Sequence, residues 1–239
     1  MSPDKIQKLQ QMGLGPVWQR RHLPVDATLM HEPRSDLAAQ APAADDAIAH
    51  MDWSALESAI RECTRCGLCQ GRQHAVPGVG DHGARWLFVG EGPGHNEDLQ
   101  GEPFVGPAGK LLDNMLRALD LARGENTYIA NIVKCRPVGA DGRDRPPTPE
   151  EAAACLPYLQ RQIALIQPDV IVALGKTAAI ALLDLPADTS LGSLRGQSHT
   201  YAGVPLVITY HPAYLLRAPV DKAKTWRDLC VAKGIIDGR

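Results

Sequence analysis

The chain has 239 residues, 44% of them apolar, which suits one domain of ordinary size plus a tail. It contains no run of the ~18 consecutive apolar residues that a membrane-spanning helix needs and no apolar stretch at its start, so we expect a cytoplasmic protein without a membrane partner. The formal charge of −2 is unevenly distributed: residues 26–62 contain eight acids and two bases, and the rest of the chain contains 19 acids and 23 bases. The mildly basic remainder permits a polyanionic partner such as nucleic acid. An ordinary solvated surface explains the charge equally well.

Residues 1–52 are predicted to be a flexible N-terminal extension and linker. The stretch 26–50 is rich in Ala, Asp and Pro and shows no helical or strand period. For residues 1–23 a disordered extension is favoured over a short docking helix, and the sequence names no partner for this segment. From Trp53 onward, Leu56 and Ile60 follow at helical spacing, and residues 53–239 are predicted to form the functional domain, as a monomer.

Short apolar runs alternate with longer amphipathic segments from Arg85 to the end of the chain. The runs predict four buried strands, at residues 86–90, 128–133, 170–174 and 204–209. The other segments predict helices at residues 107–121, 148–166, 176–183 and 220–236, the second of which begins with the capping box Thr148-Pro-Glu-Glu151. This alternation predicts an α/β fold, a three-layer α/β/α sandwich around a central, mainly parallel four-stranded sheet.

Polar and glycine-rich segments follow the predicted strands at the edge where α/β sheets bind ligands. Gly90-Glu-Gly-Pro-Gly94 follows the first strand, Asn131 lies within the second, and His211 follows the fourth. Glycines at a strand end let backbone amides approach a ligand closely, whereas a purely structural turn is the alternative. The carboxylate of Glu97 and the ring of Phe104, one of only two phenylalanines, favour a binding site.

The motif Gly78-Val-Gly80-Asp-His-Gly83 matches the dinucleotide-binding fingerprint in its letters but not in its context. That fingerprint follows a strand and opens a helix, whereas this segment precedes the strand predicted near Arg85. The glycines are therefore predicted to form a turn that leads into the sheet.

The segment that begins at His211 combines a histidine, two leucines and a cation. Because His211 precedes Pro212 directly after an apolar strand, its ring is expected at the mouth of the sheet, where it can donate a hydrogen bond to an oxygen that gains negative charge. The pair Leu215-Leu216 is unusual in the loop predicted here. Exposed apolar residues beside Arg217 suit a loop that wedges into stacked bases while the cation meets a phosphate.

Four cysteines, the close pair Cys63 and Cys66 and the distant Cys135 and Cys155, predict a four-thiolate metal site. In a reducing cytosol, clustered thiols are more often metal ligands than disulfides. Their spacing suits zinc and an iron-sulfur cluster alike, and buried thiols without metal are the remaining alternative. Cys69 makes an overlapping pair with Cys66, so spacing alone does not decide which pair binds.

Together, these motifs resemble the iron-sulfur uracil-DNA glycosylases, family 4 of the uracil-DNA glycosylase superfamily. The resemblance runs from about Glu62 to the C-terminal helix and includes Pro103-Phe-Val-Gly106 and Asn131-Ile-Val-Lys-Cys-Arg-Pro137. It implies an enzyme, a monofunctional glycosylase that flips uracil out of DNA and hydrolyses its N-glycosidic bond, leaving an abasic site for base excision repair. A non-catalytic, metal-containing nucleic-acid-binding module is the competing hypothesis.

The resemblance also implies a role for each matching residue at the base. Phe104 stacks on the extruded base and Asn131 pairs with N3–H and O4 of uracil. His211 donates to O2 of uracil as the bond breaks, and backbone amides around Gly92 add further donors.

The remaining roles concern DNA, water and metal. Leu215 matches the residue that fills the gap in the DNA stack, and Arg217 holds the DNA backbone. Better-known superfamily members carry an aspartate where Gly92 stands, so Glu97, or alternatively Glu91, is expected to orient water. The resemblance implies a four-iron, four-sulfur cluster, with zinc less favoured and Cys69 a bystander, on the ligands Cys63, Cys66, Cys135 and Cys155.

Overall fold

A six-stranded sheet lies at the centre of the part of the chain that the computed structural model describes, residues 43–238. Its strands in chain order are β1 (Val79–Gly80), β2 (Trp86–Gly90), β3 (Thr127–Asn131), β4 (Val170–Leu174), β5 (His199–Tyr201) and β6 (Val204–Thr209). Their spatial order is β1-β3-β2-β4-β6-β5. The four central strands are parallel, and β1 and β5 are antiparallel edge strands.

The predicted α/β fold with a mainly parallel sheet is confirmed, but the predicted number of four strands is wrong. The two additional strands are only two and three residues long and contain no apolar run that could have indicated them. β1 lies within the glycine motif 78–83 and pairs with β3. A Cβ on Gly80 would lie 2.2 Å from the carbonyl oxygen of Thr127, so the glycine permits the close backbone approach of this edge strand.

Helices cover both faces of the sheet. The helices are α1 (Ala43–Ala49), α2 (Trp53–Arg61), α3 (His95–Gln100), α4 (Pro107–Ala118), α5 (Pro149–Ile166), α6 (Lys176–Leu183), α7 (Leu191–Leu194), α8 (Pro212–Arg217) and α9 (Lys222–Asp237), with 3₁₀ turns at Gly67–Gln70 and Pro219–Asp221. None of the helices in residues 43–238 is long and apolar enough to cross a membrane. The predicted capping box is present, since Thr148 Oγ1 accepts from Glu151 N at 3.2 Å and Thr148 N donates to the Glu151 carboxylate at 2.8 Å.

The apolar strands are apolar throughout because both of their faces are buried. In β2, Leu87 and Val89 pack into one core with α1, α2, α5 and α6, whereas Trp86 and Phe88 pack into a second core with α4 and α9. All five residues of β2 are buried, and the same is true of β3 and β4. The three layers therefore fix the carboxyl ends of the central strands as a rigid edge.

The N-terminal boundary differs from the prediction of a linker over residues 26–50. That interpretation is wrong for residues 43–49, which form α1, bury Ile48 and place Asp45 against Arg65 in an ion pair. The carbonyl oxygen of Met51 accepts a hydrogen bond from Arg161 Nε at 2.6 Å, which fixes the connection to α2. Residues 1–42, including the possible docking helix at 1–23, lie outside the described residues, and a domain boundary at residue 52 remains a prediction.

Candidate active site

A cavity of about 330 Å³ opens at the carboxyl ends of β2 and β3. The parallel register pairs Gly90, the last residue of β2, with Asn131, the last residue of β3, so the segments that leave the two strands begin side by side. The cavity brings together most of the predicted site residues. Its lining includes Glu91, Gly92, Glu97, Phe104, Asn131 and His211.

Asn131 supplies a buried hydrogen-bond acceptor without a partner. Its side chain is 2% exposed, and Oδ1 has no hydrogen bond to any other described residue. Nearly all buried polar atoms in proteins have a partner, so such an orphan points to a ligand that completes it. A Cβ on Gly90 would lie 2.4 Å from Asn131 Oδ1 and 2.5 Å from Phe104 Cζ. Only glycine therefore leaves the space between the amide and the ring open.

Two rings form the adjacent walls of the cavity. The ring centroids of Phe104 and His211 are 5.5 Å apart, with their planes at 30°. Both side chains line the cavity together with Asn131. The three groups thus present an apolar plane, an amide and an imidazole to one space, the combination that a planar, polar heterocycle needs.

His211 is held as a neutral hydrogen-bond donor. It caps the N-terminus of α8, and its Nδ1 accepts from Ala213 N at 3.2 Å. Burial, and then the positive charge of Arg217, lower the pKa of the His211 ring to about 4, against the opposing charge of Glu97. At neutral pH the ring is therefore uncharged, and because Nδ1 is the acceptor, its proton is on Nε2. One N–H donor remains for a ligand.

The carboxylates of Glu97 and Glu91 are both engaged with protein groups. Glu97 accepts from the backbone N–H groups of Gly94, Val105 and Gly106 at 3.1, 2.9 and 3.0 Å. Glu91 accepts a hydrogen bond from the hydroxyl of Thr177. Since a carboxylate offers about four acceptor positions, Glu97 retains room for one further donor, such as water.

Five of the six cysteines line a second pocket, between α2, the turn at 67–70, the segment after β3 and α5. They are Cys63, Cys66, Cys69, Cys135 and Cys155. None of the five forms a disulfide. Across residues 43–238, no group of three or more His, Cys, Asp or Glu side chains has the arrangement of a metal-ion site. The pocket nevertheless brings the four predicted ligands together, along with Cys69.

Two of the sulfur atoms in this pocket accept hydrogen bonds from N–H groups. Arg72 Nη1 donates to Cys135 Sγ at 3.1 Å, and Lys134 N donates to Cys155 Sγ at 3.2 Å. Burial raises the pKa of the Cys155 thiol to about 12, and that of Cys135 is also raised by burial. Thiols in such surroundings ionise only when a cation replaces their protons, and the N–H donors then stabilise the thiolates.

A buried lysine connects the cysteine pocket with the cavity. The ammonium group of Lys134 donates to the carbonyl oxygen of Asn131 at 2.9 Å and to Gln162 Oε1 at 2.7 Å. Its surroundings exclude water, which lowers the pKa of Lys134 to about 8. The backbone of Asn131 is therefore tied to the same short segment that carries Cys135.

Comparison with known proteins identifies the family. A sequence model of the Uracil DNA glycosylase superfamily matches residues 77–231. The type-4 uracil-DNA glycosylase of Pyrobaculum aerophilum is 42% identical over 190 residues, which are 77% of this chain and 94% of that protein. Those of Thermotoga maritima (48% over 159 residues, 66% and 80%) and Archaeoglobus fulgidus (44% over 174 residues, 69% and 84%) are similarly close. The chain belongs to the type-4 uracil-DNA glycosylases. The family indicated by the sequence motifs is confirmed.

In this type-4 glycosylase, packing leaves no room for a side chain at Gly92. A Cβ there would lie 2.7 Å from Val133 Cγ2 and 3.4 Å from Pro137 Cδ. The aspartate expected at this position in other superfamily members would therefore have to displace Val133. A water molecule in this cavity has to be oriented by another group.

The prediction of a loop after β6 is wrong, and so is the prediction that Leu215 is exposed. Residues 212–217 of this type-4 glycosylase form the helix α8, in which Leu215 is completely buried and Leu216 is 45% exposed. Neighbouring side chains on a helix point in directions about 100° apart, and here Leu215 lies in the apolar groove beside Met115 and Leu229 while Leu216 faces solvent. Arg217 is exposed, and its contact with DNA stays a prediction.

Several residues of the two pockets were not predicted. Asp144 and Arg145, from the segment after β3, line the cavity, and Arg145 is bound by both oxygens of Glu151. Lys134 lies inside a family motif, which could have drawn attention to it. Arg72 has no signal in the sequence, because its contact with Cys135 joins residues 63 positions apart.

Proposed function

We propose that this chain is a monofunctional uracil-DNA glycosylase that acts as a monomer on uracil-containing DNA. It flips uracil out of the DNA stack, hydrolyses the N-glycosidic bond and leaves an abasic site, the first step of base excision repair. The observation that supports this most directly is the unpaired, buried Oδ1 of Asn131 in a cavity walled by Phe104 and His211.

Uracil complements the groups of this cavity. Its N3–H is a donor for Asn131 Oδ1, its O4 is an acceptor for the amide N–H₂ of the same side chain, and its ring stacks on Phe104. Cytosine presents an acceptor at N3 and a donor at C4, the reverse pattern. It would leave the buried amide oxygen unpaired, which costs ~1–3 kcal/mol and disfavours cytosine in the cavity.

Bond cleavage builds positive charge on the deoxyribose and negative charge on the departing uracil. The neutral ring of His211 donates from Nε2 to O2 of uracil and stabilises that anion without a change in its own charge. Water then attacks the sugar at C1′, and the proton that it loses passes, directly or through solvent, to the departed uracil anion, so that the products are an abasic deoxyribose and neutral uracil. Glu97, whose carboxylate is fixed by three backbone donors, is the preferred group to orient that water, with Glu91 the second candidate.

A strand-scission assay tests the proposed activity. The protein is incubated with an oligonucleotide that contains one uracil, and abasic sites are then cleaved with alkali. Scission at the uracil position is expected. Binding of the same oligonucleotide without any scission would support the competing hypothesis of a non-catalytic nucleic-acid-binding module.

We further infer that the cysteine pocket holds a four-iron, four-sulfur cluster. The donor set fits such a group, because four thiols line one pocket and the two buried ones, Cys135 and Cys155, accept hydrogen bonds from N–H donors that favour bound thiolates. The proposed ligands are Cys63, Cys66, Cys135 and Cys155. When bound, the cluster supplies a structural connection between α2, the segment after β3 and α5, and the hydrolysis itself uses only protein groups and water.

The cluster predicts a difference between two neighbouring cysteines. Protein purified without oxygen should be brown, and Cys66→Ser should lose most of its visible absorption and its iron. Cys69→Ser is the matched control and should retain both, because Cys69 is not a proposed ligand. Colourless wild-type protein that contains zinc would contradict the inference, and loss of iron in Cys69→Ser alone would move the ligand assignment from Cys66 to Cys69.

The orientation of α8 predicts opposite consequences for its two leucines. We propose that Leu216, and not Leu215, fills the gap in duplex DNA, because Leu216 is the exposed one of the two leucines and lies beside Arg217. Leu216→Ala should slow excision from duplex DNA about tenfold and leave both the melting temperature and excision from single strands unchanged. Leu215→Ala should lower the unfolding free energy by about 2–5 kcal/mol through a core cavity. Unchanged duplex excision in Leu216→Ala would contradict this assignment.

A further inference from the structure

Phe104 has a backbone conformation that bulky residues avoid. Its φ is +56°, in the left-handed region, where a side chain with a Cβ is disfavoured by ~1–2 kcal/mol. A strained residue persists only where its surroundings determine the conformation, and such residues concentrate at functional sites. Phe104 lines the cavity beside His211, so the groups that hold its backbone also set the position of its ring.

Arg123 holds the carbonyl groups at and before Phe104. It lies in the connection between α4 and β3, and its guanidinium donates from Nη1 to the oxygen of Pro103 and from Nη2 to the oxygen of Phe104, both at 2.8 Å. Asp113 accepts from the guanidinium at 2.9 and 3.2 Å and fixes its plane. The two N–H groups of one rigid fork thus bind two successive carbonyls.

The chain on the other side of Phe104 is held by Glu97. One oxygen of its carboxylate accepts from the N–H groups of Val105 and Gly106, at 2.9 and 3.0 Å. Gly109 allows α4 to pack directly on this segment, since a Cβ there would lie 1.6 Å from the oxygen of Phe104. The carbonyl groups of Pro103 and Phe104 are therefore bound by Arg123, and the N–H groups of the next two residues are bound by Glu97.

We propose that Arg123 is a positioning residue that holds Phe104 in its left-handed conformation and so fixes the plane on which the base stacks. This inference builds on the proposed function, because it names a determinant of uracil binding at the same cavity. Without the guanidinium, no other residue in the described range 43–238 binds the two carbonyls, and the segment relaxes to an ordinary conformation that turns the ring of Phe104 away from the amide of Asn131. Uracil then loses its stacking partner.

The experiment uses the full chain labelled with 4-fluorophenylalanine, which gives two ¹⁹F resonances because the sequence contains only Phe88 and Phe104. Phe104→Leu assigns the two signals, and Phe88, completely buried in the sheet, is an internal reference. In Arg123→Met the Phe104 resonance should shift or broaden while that of Phe88 stays in place. Arg117→Met, an exposed position on α4, should change neither resonance.

Added uracil distinguishes the positioning role from a general loss of structure. In the wild type, free uracil should shift the Phe104 resonance, and in Arg123→Met about tenfold more uracil should be needed for the same shift. Arg123→Lys should resemble the methionine variant, since an ammonium group cannot bind both carbonyls in one plane. If Arg123→Met does not fold, Asp113→Asn, which removes the charge that orients the guanidinium, should change the Phe104 resonance in the same direction.

The outcomes separate this inference from the proposed function. A Phe104 resonance that is identical in the wild type and in the folded Arg123 or Asp113 variants overturns the positioning role. Absence of uracil excision by the wild type overturns the proposed activity, and the resonance still reports whether Arg123 fixes the ring. A changed resonance with unchanged uracil titration also overturns the role in base binding.

Discussion

His211→Ala is expected to lower the rate of uracil excision about 10²- to 10³-fold while DNA binding stays nearly unchanged. The substitution removes the neutral Nε2–H donor that we propose stabilises the departing uracil anion, and one such donor typically accounts for an effect of this size. Binding depends mainly on contacts with the DNA backbone, which the substitution leaves in place. Single-turnover excision rates and equilibrium binding of the same uracil oligonucleotide measure the two effects separately.

Two controls accompany this experiment. His50→Ala alters an exposed histidine that does not line the cavity and should retain wild-type excision. The melting temperature shows whether the loss of the α8 cap at His211 has unfolded the site. Equal losses of binding and excision in His211→Ala would show that the residue holds DNA and does not stabilise the leaving base.

Gly90→Ala is expected to lower excision about 100-fold or more by closing the space for the base. The new methyl group would lie 2.4 Å from Asn131 Oδ1 and 2.5 Å from Phe104 Cζ, so it either occupies the slot or pushes the ring aside. Binding of duplex DNA should be weakened much less, because it is expected to depend mainly on phosphate contacts outside the slot. The comparison again needs excision rates together with binding constants.

The matched control for Gly90→Ala is Gly234→Ala. Gly234 lies within α9, and a Cβ there meets no atom within 4 Å, so this variant should be active and at least as stable as the wild type. Full activity in Gly90→Ala would mean that the base does not lie between Phe104 and Asn131. The proposed recognition of uracil would then have no structural basis.

The parts of the fold that could be predicted from the sequence are those in which one physical cause dominates. The four central strands appear as apolar runs because helices bury both of their faces. The first residue of α5 could be predicted from the capping box at Thr148. The edge strands β1 and β5 are set by pairing with distant residues and leave no local pattern. Helix α1 was missed because its composition resembles that of a linker, although Ile48 is buried.

The candidate site could be placed at the sheet edge from topology, whereas its details depend on contacts through space. Pro212 at the first position of α8, capped by His211, is a helix-start signal that favours a helix over the predicted loop and decides which leucine is exposed. The interactions of Arg123 with Pro103 and Phe104 join segments about 20 residues apart and follow no sequence pattern. Strain at Phe104 is visible only in the backbone conformation.

Excision measured on two oligonucleotides that differ only in one base, uracil or cytosine, tests the central claim most directly. The claim is that Asn131 recognises uracil because its buried, otherwise unpaired Oδ1 accepts a hydrogen bond from N3–H of the base. It predicts scission at uracil and about 10- to 100-fold slower scission at cytosine, because cytosine leaves the buried amide oxygen unpaired at a cost of ~1–3 kcal/mol. Comparable rates at the two bases, or no scission at uracil, would contradict it.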